Sequence, residues 1–276
     1  MNFSDYVPQS AQHTLVYGAP KTGKTQLVGE LARKHKILWF DLENGINTLL
    51  KLPVEAQKNI ELIKIADSRT HPIAIETMLK VSTGNKTRIC NDHGRVNCVA
   101  CTKNNPQAFS EVCLNELAEG TIVVLDSATQ LSNSAMAKIC MNQTDDYQPT
   151  FHDYRYQGAV LDRIFSQFQV AAYHMIIISH EIMVKLQDES EKIVPVAGTS
   201  NFSRTFAKYF DHVIYCEIKA KHHKQGSSTT YSLNVLTGSR TDVLIEKADV
   251  SSLELIYSPQ KKGGEVAEAK LSQSVK

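Results

Sequence analysis

Two groups of residues in this sequence have the types and spacing to do chemistry. The first is Gly18-Ala19-Pro20-Lys21-Thr22-Gly23-Lys24-Thr25, followed by Gln26. It fits G-x-x-x-x-G-K-[ST], in which glycines let backbone N–H groups converge on phosphate oxygens. In that pattern Lys24 reaches the β- and γ-phosphates of ATP, and the Thr25 hydroxyl ligates Mg²⁺. The second is Cys90-x2-His93-x4-Cys98-x2-Cys101, four soft ligands within twelve residues. Each x2 pair can clasp one edge of a tetrahedron, which suits Zn²⁺. Four protein ligands leave no open coordination position, so such a site is structural. Unligated cysteines in an unordered loop are the plainer alternative.

A phosphate loop works only between a strand and a helix. His13-Thr-Leu-Val-Tyr17 reads as a short buried strand, and Leu27, Val28, Leu31 and Ala32 recur at helical spacing. The helix therefore opens at Gly23-Lys24, where its N-terminus adds partial positive charge. Such a loop also needs a carboxylate on a neighbouring strand. Asp126 follows the apolar run Ile122 to Leu125 and would hold Mg²⁺ through water. Its alternative is to cap the helix that follows Ser127. Hydrolysis further needs a group to orient or deprotonate water. Ser127 cannot act as that base, but Glu43 in "WFDLENG" lies just past a second strand on the same sheet edge. An ordinary turn glutamate is the alternative there.

The remaining elements frame these groups. Ile37–Asp41, Ile60–Ile65 and Met175–Ser179 read as buried strands; helical patterns cover 73–81, about 107–117, 129–141 and 154–170. The segment 211–247 alternates like antiparallel strands, with a turn at Lys221–Ser228. Strands alternating with helices predict an α/β fold with a mostly parallel central sheet and antiparallel strands toward the C-terminus. Residues 83–107 form a polar, Asn-rich insert too poor in apolar side chains to fold by burial, so metal would supply its folding energy. Cys113, Cys140 and Cys216 sit in apolar patterns and read as core residues. From Pro259 periodicity ends, and 259–276 reads as a disordered tail behind a core of 1–258.

Bulk properties narrow the function. The 276 residues carry a net charge of +1 and are 42% hydrophobic, enough for a sizeable core. Near-neutrality argues against nucleic-acid binding through overall charge, so any such contact must be local. No apolar run approaches a membrane span, and "MNFSDYVPQS" lacks the regions of a signal peptide. The expected location is the cytoplasm, that of the host if a phage encodes the chain.

The order GAPKTGKT, WFDLEN, IVVLDSATQLS, IIIISHEI resembles the core of RecA/RadA-type recombinase ATPases. "GTSNFSRTFAKYFDHVIYC" makes the chain similar, more narrowly, to the phage Sak-type single-strand annealing and recombination ATPases. The resemblance spans roughly residues 13–247. It implies a RecA-like core, Glu43 as catalytic glutamate, Asp126 as metal aspartate, and Ser179-His180 as the γ-phosphate sensor, where RecA carries Gln. It implies that loop 182–204, with Lys185, Lys192, Asn201 and Arg204, contacts single-stranded DNA through backbone phosphates. Arg240 lies where family members reach a neighbour's γ-phosphate. Implied partners are single-stranded DNA, further copies of the chain, and a recombination or replication protein. Each has a plainer alternative: a strand-closing core histidine, a solvated loop, a solvated arginine. Lys219-Ala-Lys-His-His-Lys224 is either an electrostatic patch or a charged hairpin tip that aids solubility. A nucleotide-dependent protein-binding switch and a small-molecule kinase are the competing functions.

Overall fold

The apolar runs pair into one seven-stranded sheet in the computed structural model, which describes residues 11–68, 71–105, 107–144, 146–185, 189–223, 226–236 and 257. The strands are β1 (His13–Gly18), β2 (Ile37–Asp41), β3 (Ile60–Lys64), β6 (Ile122–Asp126), β7 (His174–Ser179), β10 (His212–His223) and β11 (Gly226–Leu236). Their order is β11-β10-β1-β7-β6-β2-β3. Six run parallel, and β11 pairs antiparallel with β10. The central strands are buried on both faces, which explains their unbroken apolar runs.

Side-chain alternation sorts each strand between two layers. Val16, Trp39, Val124, Ile176 and Ile214 pack beneath α1 (Lys24–Gly29) and α2 (Val54–Gln57). Leu15, Phe40, Leu125 and Ile177 face α3 (Ile73–Val81), α5 (Ala128–Cys140) and α6 (Phe151–Gln169). Helices thus cover both faces of a parallel sheet, and every β-to-α junction falls on one edge. Tyr257 returns to the α1 layer, donating its hydroxyl to Thr14 Oγ1 at 2.7 Å.

Three expectations are corrected. The stretch 107–117 is not helical. β5 (Phe109–Val112) pairs antiparallel with β4 (Thr87–Cys90), and a 3-10 turn covers Leu114–Glu116. Its apolar spacing is compatible with either form, and cross-strand pairing decides. The segment 182–204 is not an open loop: β8 (Glu181–Lys185) and β9 (Glu191–Pro195) form a hairpin, followed by α7 (Ser200–Thr205). Nor does the insert lack apolar anchors. Ile89 is fully buried in the main core, and α4 (Val99–Asn104) carries buried Cys101 against Cys90 and Cys98. Cys216 is buried as expected, whereas Cys113 and Cys140 are only partly covered. Arg240 and the tail 259–276 lie outside the described residues.

Candidate functional site

The loop after β1 is shaped by positions where only glycine fits. A Cβ on Gly18 would lie 2.2 Å from the Cys216 carbonyl oxygen of β10, and Gly23 takes φ 88° at the N-cap of α1. Pro20 and Lys21 are exposed at the crest, with Lys21 also at positive φ (66°), while Thr22 is buried and Ala19 is half-buried. Lys24 is 6% exposed and folds back over the loop, donating to Gly18 O at 2.8 Å and Ala19 O at 2.7 Å. Burial lowers its pKa, opposed by Asp126 and Glu43 among others. An ammonium held by neutral carbonyls and, at 3.5 Å, by the Thr22 hydroxyl is placed to exchange them for phosphate oxygens. Gln26 points away, its amide donating to Glu30.

Opposite the loop stand three carboxylates at the ends of adjacent strands. Thr25 donates its hydroxyl to Asp126 Oδ2 at 3.0 Å, bringing together the two residues expected at a hydrated Mg²⁺. Burial, then the nearby Glu43 charge, pushes the Asp126 pKa up to about 7. Ser127 caps α5 by accepting the Gln130 N–H at 3.2 Å, so the cap falls one residue beyond Asp126. The paired hard oxygens, the concentrated negative charge and the glycine-walled loop fit a Mg²⁺-bound nucleoside phosphate.

Glu43 lies past the end of β2, its side chain 27% exposed. Ser127 donates its hydroxyl to Glu43 Oε1, and His180 Nε2 lies 3.2 Å from Glu43 Oε2. Burial raises the Glu43 pKa, but these two hydrogen bonds and the His180 and Lys24 charges outweigh it, leaving a net decrease. The carboxylate is thus ionised and oriented. Beside it opens a polar cleft of about 420 Å³, bounded by Glu43, Asp67, Thr129, Gln130, Asn133 and His180.

β7 lies between β1 and β6 in the sheet, so its end falls between the phosphate loop and Asp126. The His180 backbone is tied both to the residue just past β9 and to α5. Val196 N donates to His180 O at 2.9 Å, Ser179 Oγ to Val196 O at 2.8 Å, and His180 N to Thr129 Oγ1 at 2.9 Å. Lys185 and Lys192 are exposed on the hairpin, Arg204 of α7 donates to the Lys185 carbonyl, and Asn201 is exposed on α7. Met183 and Ile193, paired across the two strands, are 57% and 37% exposed.

The second constellation closes on itself. His93 Nδ1 lies 3.5, 3.8 and 3.2 Å from the sulfurs of Cys90, Cys98 and Cys101. All four ligand atoms fall within 4.8 Å of one another. A tetrahedron with bonds of about 2.0–2.3 Å has edges of roughly 3.5–3.8 Å, so the donor set fits a zinc-sized soft cation. The loop is seated on the core: Thr77 donates to Gly94 O at 2.7 Å, and a Cβ on Gly94 would come within 2.5 Å of Lys64 O.

Glu43, Lys24, Thr25, Asp126 and His180 are thus brought to one edge, with the Cys/His cluster beyond β3. Sequence reasoning missed Ser127 and Thr129 as hydroxyl partners and Asp41 as the third carboxylate. Asp41 was legible as the residue two before Glu43 that ends the same strand.

A model of the AAA domain family matches residues 10–241. No curated protein matches the sequence. Among solved structures, an ATPase from the type III secretion system of pathogenic bacteria aligns with TM-score 0.41 and 12% identity. The alignment covers 74% of this chain and 52% of that one, so this chain spans about half its length.

Proposed function

Since the chain belongs to the AAA-domain family and is a P-loop ATPase domain, we propose that it hydrolyses ATP in the manner of RecA-like recombinases. Its target is single-stranded DNA in phage-type recombination, annealing or replication. Backbone N–H groups of the Gly18–Thr25 loop, all but Pro20, and the Lys24 ammonium hold the phosphates. Thr25 and Asp126 hold Mg²⁺, which when bound offsets the charge of the phosphate tail. Glu43 accepts the proton of the attacking water or orients it; Ser127 holds that carboxylate in place, joined by His180 until a phosphate engages the imidazole. Zn²⁺ on Cys90, His93, Cys98 and Cys101 stiffens the insert and takes no part in the chemistry.

One observation carries the coupling to DNA. His180 touches Glu43 with its side chain, while its carbonyl accepts the N–H of Val196, just past β9 at the base of the β8–β9 hairpin. A phosphate that draws His180 away from Glu43 therefore moves the hairpin. The test is single-stranded DNA affinity with and without a non-hydrolysable ATP analogue. The reading expects tighter, salt-sensitive, sequence-tolerant binding with the analogue. Equal affinity in both states removes the coupling.

The exposed Met183–Ile193 pair favours a second reading, in which the hairpin docks an apolar partner protein and turnover is slow. ATP turnover unaffected by single-stranded DNA supports that alternative.

A further inference from the structure

Asp41 has no part in the reading above, yet it is the most deeply buried of the three carboxylates, at 1% exposed. Alternation along the strands fixes where it faces. Trp39 and Val124 pack in the α1 layer, and Asp41 and Asp126 follow them by two residues on β2 and β6. The two strands are parallel neighbours with Asp41 in register with Asp126, at a spacing of about 4.8 Å. Both carboxyls therefore stand side by side on the face of the sheet that Thr25 reaches.

The two oxygens of Asp41 differ. Oδ1 accepts the backbone N–H groups of Glu43 and Gly45, each at 3.2 Å, and so shapes the turn that carries the base. Oδ2 is buried and has no hydrogen-bond partner among the described residues. A buried carboxylate oxygen without a donor is costly, so such an atom in a folded protein calls for a donor from water, an ion's water shell or another ligand. Lys24, the one buried ammonium among the described residues, directs its protons to Gly18, Ala19 and Thr22. Lys64, opposite Asp41 on β3, is exposed and attracts it only through space.

We propose that Asp41 Oδ2 accepts a hydrogen bond from a water of the hydrated divalent cation held by Thr25 and Asp126. One carboxyl then joins the two halves of the site: Oδ2 orients the cation's water shell and Oδ1 fixes the turn bearing Glu43. Asp41 is thus a positioning residue. The inference rests on the ATPase reading above.

Asp41→Asn is the discriminating change, because the amide oxygen still accepts the Glu43 and Gly45 N–H groups while the second oxygen and the charge are lost. Mn²⁺, followed by electron paramagnetic resonance, serves as the probe, in the presence of a saturating non-hydrolysable ATP analogue. Asp41→Asn should bind Mn²⁺ about tenfold more weakly than wild type, as expected for loss of an outer-shell partner. Nucleotide affinity measured in EDTA should stay within about twofold of wild type. Asp67→Asn, an equal charge loss in the adjoining cleft, should leave Mn²⁺ affinity unchanged; an equal loss there would reduce the effect to general electrostatics and overturn the proposal. If Asp41→Asn does not fold, Asp41→Glu, which keeps the charge on a longer arm, should still weaken Mn²⁺. A titration of Mn²⁺ alone separates the two readings. Should wild type bind no nucleotide yet Asp41→Asn lose Mn²⁺ affinity, the ATPase reading fails and the cation role of Asp41 stands. Equal Mn²⁺ affinity of wild type and Asp41 variants in both titrations overturns the proposal.

Discussion

Lys24 is a buried ammonium held only by carbonyls and a hydroxyl. That arrangement makes it ready to exchange weak partners for charged ones. Lys24→Ala should therefore weaken ATP binding by about 100-fold, since charge-assisted hydrogen bonds contribute roughly 1.5–3 kcal/mol each; calorimetric titration measures it. His180 acts on the other side of the cavity. His180→Ala removes one of two hydrogen bonds that keep Glu43 ionised and oriented. Glu43 then keeps only Ser127, and burial, which raises its pKa, is opposed by less. The acidic limb of the kcat/KM–pH profile, which reports the free enzyme, should move to higher pH in His180→Ala. An unshifted profile would mean that the His180 contact does not tune the base.

At the scale of elements, the Cys/His loop and β3 are one packed unit. Gly94 needs φ +67° and leaves no room for a side chain against the Lys64 carbonyl. Gly94→Ala should cost about 2 kcal/mol or more, from left-handed strain and the close approach, and denaturant unfolding would read it. The metal prediction is more specific. Protein purified without chelators should carry about one Zn²⁺ per chain, and Cys98→Ser should lose it. Protease should then cut within the loop between Cys90 and Cys101, while the β4–β5 base stays paired through Ile89 in the main core. Elemental analysis without zinc would sink the assignment. The sequence made this cluster legible because ligand spacing is a local property. It hid the β4–β5 ladder, because the whole Cys/His loop separates its two strands, and it left the β8–β9 hairpin as part of one polar loop. Phe109, Val112 and Leu117 satisfy a helical pattern as well as a strand one, and only pairing with Thr87–Cys90 decides.

Across the whole molecule, the sheet brings to one edge the groups that the chain spreads from residue 18 to residue 180. The strand interiors and the phosphate loop were readable, since parallel strands buried on both faces are apolar throughout. Asp41 was harder to read, because its role comes from register with Asp126 on a strand more than eighty residues away. The opposite edge has its own consequence. His174 is half-buried against Tyr257, with His13 and His35 near it, and accepts the Gln12 N–H on Nδ1 at 3.1 Å. Burial first, then the charges of His35 and His13, lowers its pKa from 6.5 to about 4. The unfolded chain therefore binds more protons between those values, so stability should be full above pH 6.5 and fall as pH drops toward 4. His174→Gln should flatten that part of a melting-temperature profile. A profile unchanged by the substitution would assign the acid loss to other groups.

The central claim is that Glu43 is the base of an ATP-hydrolysing site built by Lys24, Thr25 and Asp126. Its most direct test is single-turnover ATP hydrolysis by wild type and Glu43→Gln at matched nucleotide occupancy, with and without single-stranded DNA. ATP affinity should be equal, and the rate about 10²–10⁴-fold lower in Glu43→Gln under both conditions, the usual contribution of a general base. Hydrolysis by Glu43→Gln at the wild-type rate would contradict it.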